Sequence, residues 1–327
     1  MSYGTLTARR EKGYEMSAIS ISAIICTYNG GRYLKRAIES LASQSLSRKD
    51  YEIIVVDNCS TDSTKEIVGS LLNNVENLRY CYEPEIGLSH ARNRGIQEAR
   101  GEVVAFIDDD AEAEPEWLEG LLSSYRDDRI ACVGGKSILK WPDGFQRPKW
   151  LHRKLEPFLS GFDPGVNKEL EVRGISHIPY GVNISFRRRI LEKYPFRADL
   201  GRTDKGIYGG EETELCLRLL KDGWKVIYNP AAVVHHIVPD SRIEQTWFLK
   251  RALDWGISRV VVDHSGIEGT FRIRYMLSYL FRLLVYTFRY AGYSLLSQDG
   301  NAFNSYIRMR SYLVSVNYCL RHSGGLK

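Results

Sequence analysis

Proline is scarce in this 327-residue chain, at 10 residues, and the 28 glycines follow no period. Collagen and proline-rich linkers are excluded by that composition. Cysteine is sparser still: Cys26, Cys59, Cys81, Cys132, Cys216 and Cys319 form no CxxC pair and no zinc-type spacing. A disulfide scaffold is therefore excluded, and free thiols packed as small hydrophobes in a reducing cytoplasm are expected. No uncharged apolar run reaches about 18 residues, the length a membrane span needs. With a mean hydropathy of −0.30, a polytopic membrane protein is excluded too. The charged residues Arg9 to Lys12 are not followed by an apolar stretch, so no secretory signal is expected and residues 1–17 read as a loose tail.

What is present suits a folded protein. Hydrophobic residues make up 43% and charged residues 26%, enough apolar material to offset chain entropy. Short β-branched runs alternate with segments of helical period. Ile21 to Cys26, Ile53 to Asp57, Leu78 to Glu83 and Val103 to Asp108 read as strands, and Arg32 to Gln44, Asp62 to Leu72 and Leu88 to Arg100 as helices. Such alternation predicts an α/β fold around a mostly parallel sheet. Further strands are expected at Ile130 to Gly134, Val182 to Phe186 and Val226 to Tyr228, with surface loops from Lys140 to Gly181. The expected domains are a catalytic body over 18–240 and a helical region over 241–327.

The net charge of +5 is uneven. Residues 246–327 hold 11 Lys/Arg against 4 Asp/Glu, a balance of +7 that leaves −2 for the rest. An anionic partner is expected for that region. Its most apolar segment, Phe271 to Leu296, is interrupted by Arg282 and Arg289, seven residues apart on one helix face. An in-plane amphipathic helix on an anionic membrane surface fits this, and so does packing on the main body. Nucleic acid is not expected, because the charge is interleaved with aromatics rather than concentrated.

In parallel sheets ligands bind at the carboxyl ends of the strands. Thr27, Tyr28 and Asn29 follow the first strand, Asp57 and Asn58 the second, and Asp108, Asp109 and Asp110 the fourth. Three adjacent carboxylates repel one another, and a Mg²⁺ or Mn²⁺ shared with substrate phosphates would compensate them. Asp62 can instead cap a helix. A helix is expected from about Glu211 to Asp222, placing Glu211 and Glu212 in its first turn. The helix dipole alone explains them there; alternatively, one projects into a cleft as a general base. Periodicity favours Glu212, near Leu215 and Cys216, whereas Glu211 aligns with Glu214 and Arg218 on a more polar side. His235 and His236 follow an apolar run and are either structural or metal ligands.

Together these stretches resemble the family 2 glycosyltransferases of the GT-A fold. The matching pieces are IICTYNGGRYLKRAIESLASQ, IIVVDNCSTDST, GLSHARNRGIQEARGEVVAFIDDDAEAEPEWL, GVNISFRRRIL and GGEETELCLRLLKDGWKVIYNPAAVVHH, in the family's order. The resemblance implies a Rossmann-like GT-A domain with a C-terminal helical extension. Thr27, Tyr28 and Asn29 would line the nucleotide pocket, Asp57 would contact the base, commonly uracil, and Arg92 would lie nearby. Asp108 to Asp110 would be the DxD-type motif, with Asp110 a metal ligand and Asp109 near the ribose. Gly181 and Asn183 would approach the donor sugar, Glu212 would be the base with Glu211 as second choice, and His236 would join the metal. Where many members have Glu-Asp, this chain has Glu211-Glu212.

The implied reaction is a single displacement from a nucleotide-sugar donor, a UDP-sugar first, onto a saccharide or lipid-linked hydroxyl. The expected setting is cell-surface polysaccharide or glycolipid synthesis, in the cytoplasm or on the inner membrane face. A metal-dependent nucleotidyltransferase is the alternative enzyme class, with Gly30-Gly31-Arg32 as its only phosphate-loop candidate. A noncatalytic membrane-associated adaptor is the third reading.

Overall fold

The computed structural model describes residues 19–203, 206–263 and 270–322; the expected tail at 1–17 lies outside them. The sheet begins with β1 (Ile21–Thr27), β2 (Tyr51–Asp57), β3 (Leu78–Tyr82) and β4 (Val103–Asp108). It continues with β5 (Ala111–Ala113), β6 (Ile130–Lys140), β7 (Leu170–Glu171) and β8 (Asn183–Arg187). A two-stranded ribbon, β9 (Gly201–Thr203) with β10 (Gly206–Tyr208), precedes the long β11 (Lys225–Ile237). The path is β3-β2-β1-β4-β8-β6-β11-β5, with β7 also on β11. β1 to β4 are mutually parallel, and β6 pairs parallel with β11. β8 runs antiparallel between β4 and β6 within the sheet, which is mostly parallel as expected.

Strand alternation builds two cores. Ile21, Ala23 and Ile25 face one side of the sheet with Ile53, Val55 and Ala105. Ile24, Ile54, Val56, Val104 and Phe106 face the other. The first side is covered by α1 (Gly31–Ala42), α2 (Thr64–Leu72) and α4 (Trp117–Ser123). The second is covered by α3 (Leu88–Glu98), α5 (Arg188–Leu191) and α6 (Glu211–Lys221).

The segment from Lys140 to Gly181 is not a set of surface loops. Leu151, Leu155, Phe158 and Leu159 are buried, the last three on a 3-10 turn, and pack against Phe248 and Ala252 of α7 (Gln245–Asp263) and Ile307 of α9 (Asp299–Arg321). The C-terminal helices thus share a core with the body. Burying each such large side chain is worth about 1.5–3 kcal/mol. Sequence pattern missed this core because its residues come from irregular backbone with no period.

α8 (Thr270–Leu295) packs on α9 through Tyr275, Met276, Tyr279, Leu283 and Tyr286. Arg282 lies on the same side, its Nη1 donating to the Tyr312 hydroxyl at 3.4 Å. Ile273, Leu277, Phe281, Leu284 and Phe288 are exposed, Phe288 to 74%. The helix therefore turns Tyr275, Tyr279 and Tyr286 toward α9 and an apolar stripe outward. No helix among the described residues is long and apolar enough to cross a membrane.

Candidate active site

β1, β2 and β4 end level with one another, because Thr27 registers with Asp57 and Cys26 with Asp108. Their ends open into a cleft of about 790 Å³ that reaches across to the start of α6 and the length of α7. Thr27, Tyr28, Asn29 and Asn58 line its near side, Asp108 to Asp110 its floor, and Arg92, Gly181, Glu211 and Glu212 its far side.

The near side is fixed by loop-to-loop bonds. Asn29 adopts φ +54°, accepts from the Thr61 N–H through Oδ1 at 2.8 Å and donates its own N–H to Ser60 Oγ at 2.9 Å. Asn58 donates to the carbonyls of Glu83 and Glu85 and accepts from the Gly87 N–H, which sets the start of α3. Asp62 accepts from Thr64 N–H and from Gly31 N–H, joining the first turns of α2 and α1. Burial raises its pKa, but the Thr64 and Gly31 bonds outweigh that and hold it below the usual range. Asp57 stands behind the cleft surface, where its carboxylate accepts from the Ser60 N–H at 2.9 Å and the Tyr80 hydroxyl at 2.8 Å. Asp57 thus anchors the loop that follows β2 and does not itself line the cleft.

On the floor, the three aspartates have different surroundings. Asp109 accepts from Thr27 Oγ at 2.6 Å. Burial and repulsion from Asp110 push it up to about 7, with the Thr27 bond opposing. Gly30 is required beside it, since a Cβ there would stand 2.0 Å from Asp109 Oδ2. Asp110 is contacted by His236 Nε2 at 3.1 Å and by Arg242 Nη2 at 3.0 Å. Burial raises Asp110, but His236 and Arg242 more than reverse it and keep it ionised.

Asp108, Asp110 and His236 each offer a ligand atom, all within 4.8 Å of one another. With Nε2 turned to Asp110, His236 Nδ1 is buried with no hydrogen-bond partner among the described residues. Two carboxylates plus an imidazole suit Mn²⁺, and with water also Mg²⁺. The donor set therefore fits a divalent ion. His235 points to the other face of β11 and pairs with Glu114 at 3.0 Å, so the two histidines part company.

The far side corrects the expected faces of α6. Glu211 and Glu214 are buried, and Glu214 is paired with Arg218. Glu211 is 3% exposed and bonded by Arg92 Nη1 at 2.5 Å. Acidic side chains at those positions mark buried ion pairs, not solvent, because Arg92 and Arg218 neutralise them. Arg92 also lies over the rings of Phe106 and Phe196, at 5.5 and 5.3 Å. Its guanidinium fills the space above Gly181, where a Cβ would come within 2.3 Å of Nη2. Arg92 is therefore committed to the Glu211 carboxylate at the wall of the cleft. Glu212 faces the cleft and makes no ion pair among the described residues. Burial and repulsion from Glu211 push Glu212 up to about 7, against the pull of Arg92.

Asn183 departs from expectation as well. Its Oδ1 accepts from Trp117 Nε1 at 2.8 Å and its Nδ2 donates to the Lys136 and Ala232 carbonyls, both at 2.9 Å. The amide is satisfied in the sheet, does not line the cleft, and ties β6, β8 and β11 together. Arg242 and the α7 residues Arg251 and Ser258 line the cleft without having been foreseen. No motif marks them; only the C-terminal charge balance pointed to that region.

Comparison with known proteins agrees with this architecture. The chain is 31% identical over 258 residues to the glucosyl-dolichyl phosphate glucuronosyltransferase of Haloferax volcanii, covering 75% of this chain and 78% of that protein. It is 28% identical over 236 residues to the succinoglycan biosynthesis protein ExoM of Rhizobium meliloti, covering 69% and 70% respectively. The mannosyltransferase PcManGT from Pyrobaculum calidifontis, solved with GDP-Man and Mn²⁺, superposes with a TM-score of 0.62 at 18% identity, over 96% of this chain and 92% of that one, and shares the GT-A fold. The family model for glycosyl transferase family 2 matches residues 22–195, and the chain belongs to that family.

Proposed function

We propose that this glycosyltransferase moves a sugar from a nucleotide-diphosphate donor, a UDP-sugar, to an acceptor hydroxyl with inversion, in polysaccharide or glycolipid synthesis. The observation that carries the proposal is one cleft holding a charged cluster at the β4 end and a cleft-facing carboxylate, Glu212, held near neutrality on the opposite side.

Thr27, Tyr28, Asn29 and Asn58 receive the nucleotide. Asp108, Asp110 and His236 would hold Mg²⁺ or Mn²⁺, which supplies positive charge to the donor diphosphate when bound. Asp109 is kept near the ribose by Thr27. Glu212 accepts the proton of the acceptor hydroxyl as its oxygen bonds to the anomeric carbon; the electron pair of the breaking carbon–oxygen bond leaves with the nucleoside diphosphate. Attack from the Glu212 side, opposite the diphosphate, inverts the centre. Arg92, held by Glu211, keeps Glu212 ionisable. Thermal stabilisation by UDP-sugars with Mn²⁺ tests the donor side: Asp110→Asn should remove most of the metal-dependent stabilisation. Stabilisation that is unchanged by EDTA and by Asp110→Asn would refute the metal assignment.

The outward stripe of α8 we propose to rest on an anionic membrane surface on the cytoplasmic side. Deleting the region would remove Phe248 and Ile307 from the shared core, so point changes are the proper test. Full-length protein should float with anionic liposomes, and Phe281→Glu with Phe288→Glu should sink, each ring contributing about 1.5–3 kcal/mol when inserted. Equal flotation of both proteins would refute membrane contact through α8.

A further inference from the structure

α7 closes the wall of the cleft above Glu212. Arg251, Trp255, Ser258, Arg259 and Val262 recur at helical spacing and all line the cleft. Val262 abuts the start of α6, 3.0 Å from where a Cβ on Gly210 would stand. Arg259 is held in place by Ser311 and Ser315 Oγ, at 3.2 and 3.3 Å, and lies over the Tyr312 ring.

Arg251 and Ser258 differ from it. Arg251 Nη1 and Ser258 Oγ are buried with no hydrogen-bond partner among the described residues. Burial lowers Arg251 to about 10, and Arg202 and Arg242 add to that against the weaker pull of Asp254 and Glu212. A buried cation repelled by neighbouring cations is costly until an anion enters. Arg242 is already paired with Asp110, which leaves Arg251 as a cation of this wall whose Nη1 has no partner among the described residues. Arg251 also feels Glu212, the residue that meets the acceptor.

We propose that the α7 face around Arg251 and Ser258 is an acceptor subsite that takes a phosphate-bearing acceptor, with Arg251 as its anion contact and Ser258 as a second hydrogen-bonding group. This rests on the glycosyltransferase reading and adds the chemical class of the acceptor. A lipid-linked phosphate and a water-soluble sugar phosphate share that chemistry. α9 packs on both α7 and α8, so the outward apolar stripe of α8 and the subsite belong to one helical unit.

The test is calorimetric titration of the full chain with farnesyl phosphate, farnesol and glucose 1-phosphate, each with and without UDP and Mn²⁺. Farnesyl phosphate should bind at least about tenfold more tightly than farnesol, the scale of one charge-assisted hydrogen bond. Arg251→Gln should abolish that preference while UDP affinity changes by less than about threefold. Because it removes an uncompensated buried cation, Arg251→Gln should melt no lower than the parent. Arg251→Lys should retain part of the preference, and Ser258→Ala should weaken farnesyl phosphate by about two- to fivefold. Tight binding of glucose 1-phosphate but not farnesyl phosphate would support the subsite and assign its source as water-soluble. Equal binding of farnesyl phosphate and farnesol, with no binding of glucose 1-phosphate, would overturn the proposal. So would Arg251→Gln weakening UDP with the phosphate preference intact, which would return Arg251 to the donor. Failure of UDP to bind the parent protein would instead count against the donor reading, and the phosphate preference measured without UDP would still decide the subsite.

Discussion

Glu212→Gln should retain nucleotide-sugar affinity within about threefold while its transfer rate falls by about 10²–10⁴, the range for a lost general base. The amide keeps the size of the side chain and removes only its basic oxygen, so the loss falls on the chemical step. The same carboxylate sets the pH dependence. Burial and Glu211 place Glu212 at about 7, and a base must be ionised to act. Transfer should therefore rise about tenfold per pH unit below that point and level off above it. An active Glu212→Gln enzyme, or a profile flat between pH 5 and 8, would move the base elsewhere. Glu211 would be a poor substitute, since one of its oxygens is already committed to Arg92.

Arg92→Met should cost about 3–5 kcal/mol of folding stability, the penalty for leaving a buried carboxylate unpaired. Glu211 is as buried as Arg92, each 3% exposed, and its Oε2 has no other hydrogen-bond partner among the described residues. Adding Glu211→Gln to Arg92→Met should recover much of the loss, because the charge that Arg92 neutralised is gone. Chemical denaturation of the two single variants and the double variant checks this. Additive losses in the double variant would mean that the ring contacts of Arg92 with Phe106 and Phe196 carry the stability, not the ion pair. Any folded Arg92 variant should also show the rising pH limb displaced to higher pH, since Arg92 lowers Glu212.

Periodicity made the sheet legible. Ile21, Ala23 and Ile25 alternate with Ile24 between two cores, and such apolar strands separated by helical segments admit few arrangements. The site was legible where it sits at strand ends: Thr27, Asp108 to Asp110 and His236 converge because register places them there. It was misread where burial depends on distant charge. Glu211 looks solvent-facing by composition, and only Arg92, 119 positions away in sequence, makes it interior. Asn183 and Asp57 follow the family pattern in sequence, yet their polar atoms are engaged within the protein. The third core and the α7 wall draw on irregular segments and on contacts between residues more than 100 positions apart, such as Trp150 with Phe303, which no local pattern encodes.

The most direct test of a sugar-transferring cleft is ³¹P NMR of the full-length protein incubated with Mg²⁺ and a panel of nucleotide sugars. The account predicts slow, metal-dependent release of nucleoside diphosphate from one donor, abolished by Asp110→Asn and strongly slowed by Glu212→Gln. Release of inorganic diphosphate from a nucleoside triphosphate and a sugar phosphate, with no donor in the panel cleaved, would contradict it.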